Sequence, residues 1–173
     1  MGAGADDWSG PTPCTEWSVR DLVNHVVGED LWTKPLVDGK TLEEVGTAFD
    51  GDLLHDAPVQ NALAAAQEAV DAVEVRLPEG RKVHLSYGLE EIGEYISQLR
   101  ADHLIHGWDL AVATGQDRTL DPDVVASVAQ WFRNREDIYR RAGSIADRPT
   151  VAADSPQDEL LIAFGRDPNW KPA

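Results

Sequence analysis

The chain has 173 residues, 42% of them hydrophobic and 27% charged, a size and composition that describe one folded domain, residues 1–173, and exclude disordered, collagen-like and multidomain chains. Fifteen Lys and Arg against 31 Asp and Glu give a net charge of −16. That field repels phosphate backbones and anionic lipid, so neither nucleic acid nor a membrane is an expected partner.

The single cysteine, Cys14, cannot close an internal disulfide, and a thiolate zinc site has too few ligands. Residues 1–7 hold neither a basic segment nor an apolar run, and nothing elsewhere approaches the ~18 apolar residues of a membrane span. A reducing, cytoplasmic location is expected.

In chain order, a turn-rich stretch from Thr12 to Trp17 leads to Ser18-Val19-Arg20-Asp21, a capping-box pattern that predicts a helix start. Val19, Leu22, Val23, Val26 and Val27 give that helix an apolar face to about Trp32, with His25 beside the face and Pro35 soon after. Thr41-Leu42-Glu43-Glu44 repeats the capping box and predicts a short helix carrying Val45 and Phe49. With Asp56 as N-cap and Pro58 in the first turn, Val59, Leu63, Ala66, Val70 and Val73 predict a longer amphipathic helix.

Val75 to Pro78, Glu79-Gly80 and Lys82 to Tyr87 read as a small hairpin or an extended connection. From about Leu89 the helical period returns through Ile92, Ile96, Leu99, His103, His106 and Leu110 to a glycine stop at Gly115. Asp121-Pro122-Asp123 opens a further helix through Val124, Val128, Trp131 and Ile138 to Gly143, and a short one is expected around Asp158 to Phe164. Trp17, Trp32, Trp108 and Trp131 are expected as core or groove aromatics, and Trp170 as the residue that docks the tail. The sum is a mainly all-α protein with the architecture of a helical bundle.

Asp102 and His106, four apart, project from one face of the long helix beside Leu99 and Leu110. His25 could supply a third ligand from a facing helix, a set that suits zinc and also nickel or iron, with a coordination position left open. A helix-surface Asp–His pair or a satisfied core histidine explains the same spacing. His103 points about 100° away from Asp102 and is read as packing, while His55 and His84 are read as surface residues. Cys14, near a helix start, has a position that can lower a thiol pKa, but no base neighbours it in sequence and a plain loop residue is the favoured reading. A phosphate loop and a nucleophile-elbow serine are both missing from the sequence.

Three segments together carry a resemblance: Pro11-Thr12-Pro13-Cys14-Thr15-Glu16-Trp17 running on through Ser18 to His25, Asp102-His103-Leu104-Ile105-His106-Gly107-Trp108-Asp109, and Gly165-Arg166-Asp167-Pro168-Asn169-Trp170. In order and spacing they resemble the actinobacterial metal-binding branch of the DinB-like superfamily, related to the N-terminal domain of mycothiol-dependent maleylpyruvate isomerase. The resemblance implies a four-helix bundle holding a divalent metal, zinc before nickel or iron, at positions that fall on His25, Asp102 and His106. It also implies an isomerase or S-transferase in which mycothiol or a similar small thiol, as cosubstrate, attacks an electrophilic substrate.

The family's acid is commonly Glu where this chain has Asp102, which is one methylene shorter. The family also carries a long helix before the segment at Trp8, where this chain has seven residues. A bundle lacking that first helix is therefore expected, with a homodimer as one way to cover the groove. The alternative function is a non-catalytic, metal-stabilised binding or interaction module.

Overall fold

The computed structural model describes residues 8–172. The protein is all-α apart from one small antiparallel hairpin, with seven α-helices among the described residues. The expected loss of a first helix concerns the stretch before Trp8, which lies outside the described residues. Two compact units are formed, one from described residues 8–20 and 100–172, the other from 21–99. The first helix, α1 (Val19–Val37), and the fourth, α4 (Ile92–Ala113), each contribute residues to both.

Within the unit of residues 8–20 and 100–172, the first backbone N–H groups of α1 meet carbonyls: Val19 N donates to Gly10 O (2.9 Å) and Arg20 N to Trp8 O (2.9 Å). The preceding segment thereby satisfies donors that a helix start otherwise leaves orphaned. The core of this unit packs Ala101, Ile105, Trp108 and Val112, one stripe of α4, against α5 (Pro122–Phe132) and α7 (Pro156–Ala163). Val125, Val128 and Phe132 come from α5, and Leu160 and Leu161 from α7. Phe132 stacks on Phe164 with centroids 3.9 Å apart, and Trp170 packs on the same cluster, as expected for the tail.

Asp121 caps α5 by accepting from Asp123 N and Val124 N, and Ser155 caps α7 by accepting from Asp158 N. The helix expected to run on from Asp121 to Gly143 is interrupted. It ends at Phe132, and a separate α6 (Glu136–Arg141) follows, leaving Ile138 exposed. At the break, Arg135 turns back, its Nη1 donating to Trp131 O (2.6 Å) and its guanidinium lying 4.8 Å from the Trp131 ring centroid.

In the unit of residues 21–99, α1 continues through Pro35 and ends at Val37 instead of near Trp32. Proline has no N–H to donate there, so the last turn lacks one i→i−4 bond and α1 stops two residues later. The capping box at Thr41 forms as expected, with Glu44 N donating to Thr41 Oγ1 (3.2 Å) and Thr41 N to Glu44 Oε2 (2.8 Å). The helix it opens, α2 (Leu42–Val45), is a single turn stopped at Gly46, so Phe49 lies beyond it, edge-on to Trp32 at 5.8 Å.

The N-cap of α3 (Pro58–Arg76) is Ala57 rather than Asp56. Its buried face is formed by Ala65 and Ala69, while Val59, Leu63 and Val70 of the expected core stripe are exposed, Leu63 to 67%. A single 3₁₀ turn, Leu77–Glu79, follows. The hairpin pairs β1 (Lys82–Leu85) with β2 (Gly88–Glu91) across a two-residue turn, so its partner strand lies downstream of Tyr87, in residues expected to start the long helix. Lys82 and Glu91, opposite in register, form a 3.0 Å ion pair. Leu36, Val37, Val83, Ile92 and Tyr95 form the core of this unit. Tyr95 Oη lies 3.1 Å from Thr33 Oγ1, which itself donates to Glu29 O (2.9 Å).

Candidate metal and thiol site

One face of α4 presents Asp102, His106 and Asp109 at steps of four and three residues, beside the stripe that fills the core. Asp102 and His106 are brought together as the spacing predicts, with His106 Nε2 3.4 Å from Asp102 Oδ1. The other ring nitrogen, Nδ1, lies 3.0 Å from Asp109 Oδ2. Asp109 is fully buried, and the side chains of Asp102 and His106 are 29% and 10% exposed.

Around Asp109 two distant segments converge. The helix α7 ends in a reversal at Gly165, where φ is 78° and a Cβ would come within 2.6 Å of Ala146 O. That turn delivers Arg166, whose Nη2 donates to Asp109 Oδ2 (2.8 Å) and whose Nε donates to Asp109 Oδ1 (3.1 Å). The segment before α1 delivers Cys14. Its turn is fixed by buried Thr12, whose hydroxyl donates to Trp17 O (2.9 Å) and accepts from Cys14 N (3.1 Å). Cys14 Sγ lies 3.1 Å from Arg166 Nη2, 3.4 Å from Asp109 Oδ2 and 3.9 Å from His106 Nδ1. The indole of Trp17 lies over the same histidine, with ring centroids 5.7 Å apart.

The electrostatics follow from these contacts. Burial alone would push Asp109 up, but hydrogen bonds from His106 and Arg166, with the Arg166 charge, outweigh it and hold the carboxyl below the usual range. Cys14 goes the other way: burial, with the neighbouring Asp109 carboxylate, pushes the thiol up to about 12 against the pull of Arg166. Its position near a helix start therefore does not lower the thiol's pKa, and the sulfur, read from the sequence as that of a plain loop residue, lies among the side chains around Asp109.

Two groups of metal-type ligands occur among the described residues, and His106 belongs to both. Cys14, His106 and Asp109 offer ligand atoms all within 4.8 Å of one another. The Arg166 guanidinium, however, already sits against both the sulfur and the carboxylate, supplying the positive charge a metal would bring. The Nε2 side of His106 faces Asp102 and offers with it one imidazole and one carboxylate, a donor set suited to zinc. His25 lies half-buried on α1, in the unit of residues 21–99. His55 and His84 occupy a loop and β1, and His103 is half-buried on α4.

Asp109 and Arg166 were not singled out by the sequence as site residues. Asp109 has a local signal, three residues after His106 on the same face. Arg166 lies in the closing segment that carries the resemblance, but no local spacing ties it to Asp109, 57 positions away.

The chain belongs to the mycothiol maleylpyruvate isomerase N-terminal domain family, which it matches over residues 1–111. Asp102, His106 and Asp109 fall within the matched region, and Arg166 lies beyond it. Similar proteins include two from Mycobacterium tuberculosis, the uncharacterized proteins MT0763 (strain CDC 1551 / Oshkosh) and Rv0738 (strain ATCC 25618 / H37Rv). Each is 36% identical over 175 residues, covering 94% of this chain and 86% of the relative. No solved structure matches. Among the described residues no helix is long and apolar enough to cross a membrane.

Proposed function

We propose that this chain is a cytoplasmic divalent-metal protein whose ligands are His25, Asp102 and His106, zinc being the first candidate and nickel or iron the next. Its expected activity is that of a mycothiol-dependent S-transferase or isomerase. The observation that carries the reading is the pairing of Asp102 with His106 Nε2 on α4 in a member of a family named for a mycothiol-dependent isomerase. A metal held by these residues would lower the pKa of a coordinated thiol and so favour its thiolate. That role is assigned to a small external thiol, since the sulfur of Cys14 is already engaged by Arg166.

The test combines metal content with turnover. Native protein supplied with zinc is expected to hold it stoichiometrically and to conjugate an electrophile such as monochlorobimane in a thiol-dependent way. His106→Ala and His25→Ala should abolish both while helicity is retained. Metal kept by folded His106→Ala would contradict the ligand assignment.

A second reading, a metal-stabilised interaction module, is favoured by the exposed apolar side chains of α3, Val59, Leu63 and Val70. It predicts zinc binding without thiol turnover and, if a second copy covers that face, a homodimer. A light-scattering mass near 18.9 kDa would remove the dimer.

A further inference from the structure

We propose that Asp109, held by Arg166, is a positioning residue that fixes the proton of His106 on Nδ1 and so keeps the Nε2 lone pair turned toward Asp102 as a ligand. This deepens the metal reading above and rests on it for its consequence, but its geometry stands without the ion. Each nitrogen of the His106 ring faces a carboxylate, and a neutral ring can donate to only one of them. The Nδ1 contact with Asp109 is 3.0 Å, within the ordinary hydrogen-bond range, whereas the Nε2 contact with Asp102 is 3.4 Å and beyond it. Asp109 is also the fully buried carboxylate of the two, and a buried acceptor gains more from a donor than a partly solvated one.

Arg166 selects the same proton position. Its guanidinium binds both oxygens of Asp109, which keeps that group an acceptor with no proton of its own to offer Nδ1. Nη1 of Arg166 donates to Phe164 O (3.0 Å), tying the fork to the end of α7. The arrangement is a carboxylate–histidine pair, the device by which outer groups set the tautomer and orientation of metal-binding imidazoles.

The experiment has two independent readouts. Zinc affinity is measured by competition with a chromophoric chelator for the native chain, for Asp109→Asn, and for Asp109→Asn combined with Arg166→Gln. The double variant leaves no buried guanidinium without its carboxylate, and melting is followed in parallel. A folded double variant is expected to hold zinc about 10–100-fold less tightly than the native chain, and native affinity in that variant overturns the proposal.

The second readout is the ¹⁵N-resolved imidazole spectrum of the zinc-free chain. A neutral His106 ring protonated at Nδ1, moving toward Nε2 in the double variant, supports the proposal. A native ring protonated at Nε2 overturns it, and this result decides the matter should the double variant fail to fold. If the native chain takes up no zinc, the metal reading fails by itself and the tautomer still decides this inference.

Discussion

At the scale of single residues, the site is governed by one buried carboxylate that gathers several donors. Asp109 accepts from Arg166 and lies within reach of His106 Nδ1 and Cys14 Sγ. Replacing one partner of such a pair strands the other in the interior, so Asp109→Asn should cost about 3–5 kcal/mol, read by chemical denaturation. The pH dependence has a definite sign. Because the folded pKa of Asp109 is depressed, its contribution is complete above the unfolded value of about 3.9 and is lost as pH falls below it. Denaturation midpoints of the native chain should drop more steeply below about pH 4 than those of Asp109→Asn; equal slopes would contradict the assignment.

Cys14 supplies a second prediction at this scale. With its thiol pushed up to about 12, labelling by a thiol reagent at neutral pH should be slow in the folded chain and rapid after denaturation, and fast native labelling would show a thiolate instead. The Asp102–His106 pair was legible in sequence because helical spacing alone brings i and i+4 together. Arg166 was not, because its place depends on a helix end and a left-handed turn far along the chain.

At the scale of elements, local chemistry was the readable part. The Thr41 capping box, the Asp121 cap and the proline starts of α3, α5 and α7 all lie where their residue types put them or within a residue or two. What periodicity could not supply was which side of α3 is buried. Its Val and Leu stripe is the amphipathic signal, yet Ala65 and Ala69 face inward; small residues permit close approach, and that choice is made by the neighbouring elements. Nor could it reveal that the strand pairing Val83 begins at Gly88, since Leu89 also fits the helical period of α4.

Two substitutions test these assignments by thermal melting. Leu63→Lys, on the exposed side, should change stability by no more than about 0.5 kcal/mol. Gly165→Ala should be strongly destabilising, because the new Cβ both meets the Ala146 carbonyl and demands a positive φ. A tolerated Gly165→Ala would mean that the turn carrying Arg166 is not held as described.

At the scale of the whole molecule, the all-α class was readable from helical periods and caps, and the family from the segments around Cys14 and His106, both within the matched residues 1–111. Those two segments also supply side chains that converge at Asp109, which Arg166 joins from beyond the match. Function is less directly encoded, because the chemistry expected of the family depends on an ion and a small thiol that the chain itself does not specify. An ion that binds only the folded chain must stabilise it, by about 2.7 kcal/mol when present at 100 times its Kd, so zinc should raise the melting temperature of the native protein and not that of His106→Ala.

The most direct measurement is the metal content of untagged protein purified without chelators, by inductively coupled plasma mass spectrometry, beside folded His106→Ala. Stoichiometric zinc or nickel in the native chain, absent from the variant, is the predicted result. A native chain that holds no metal even after zinc is supplied would contradict the metal centre.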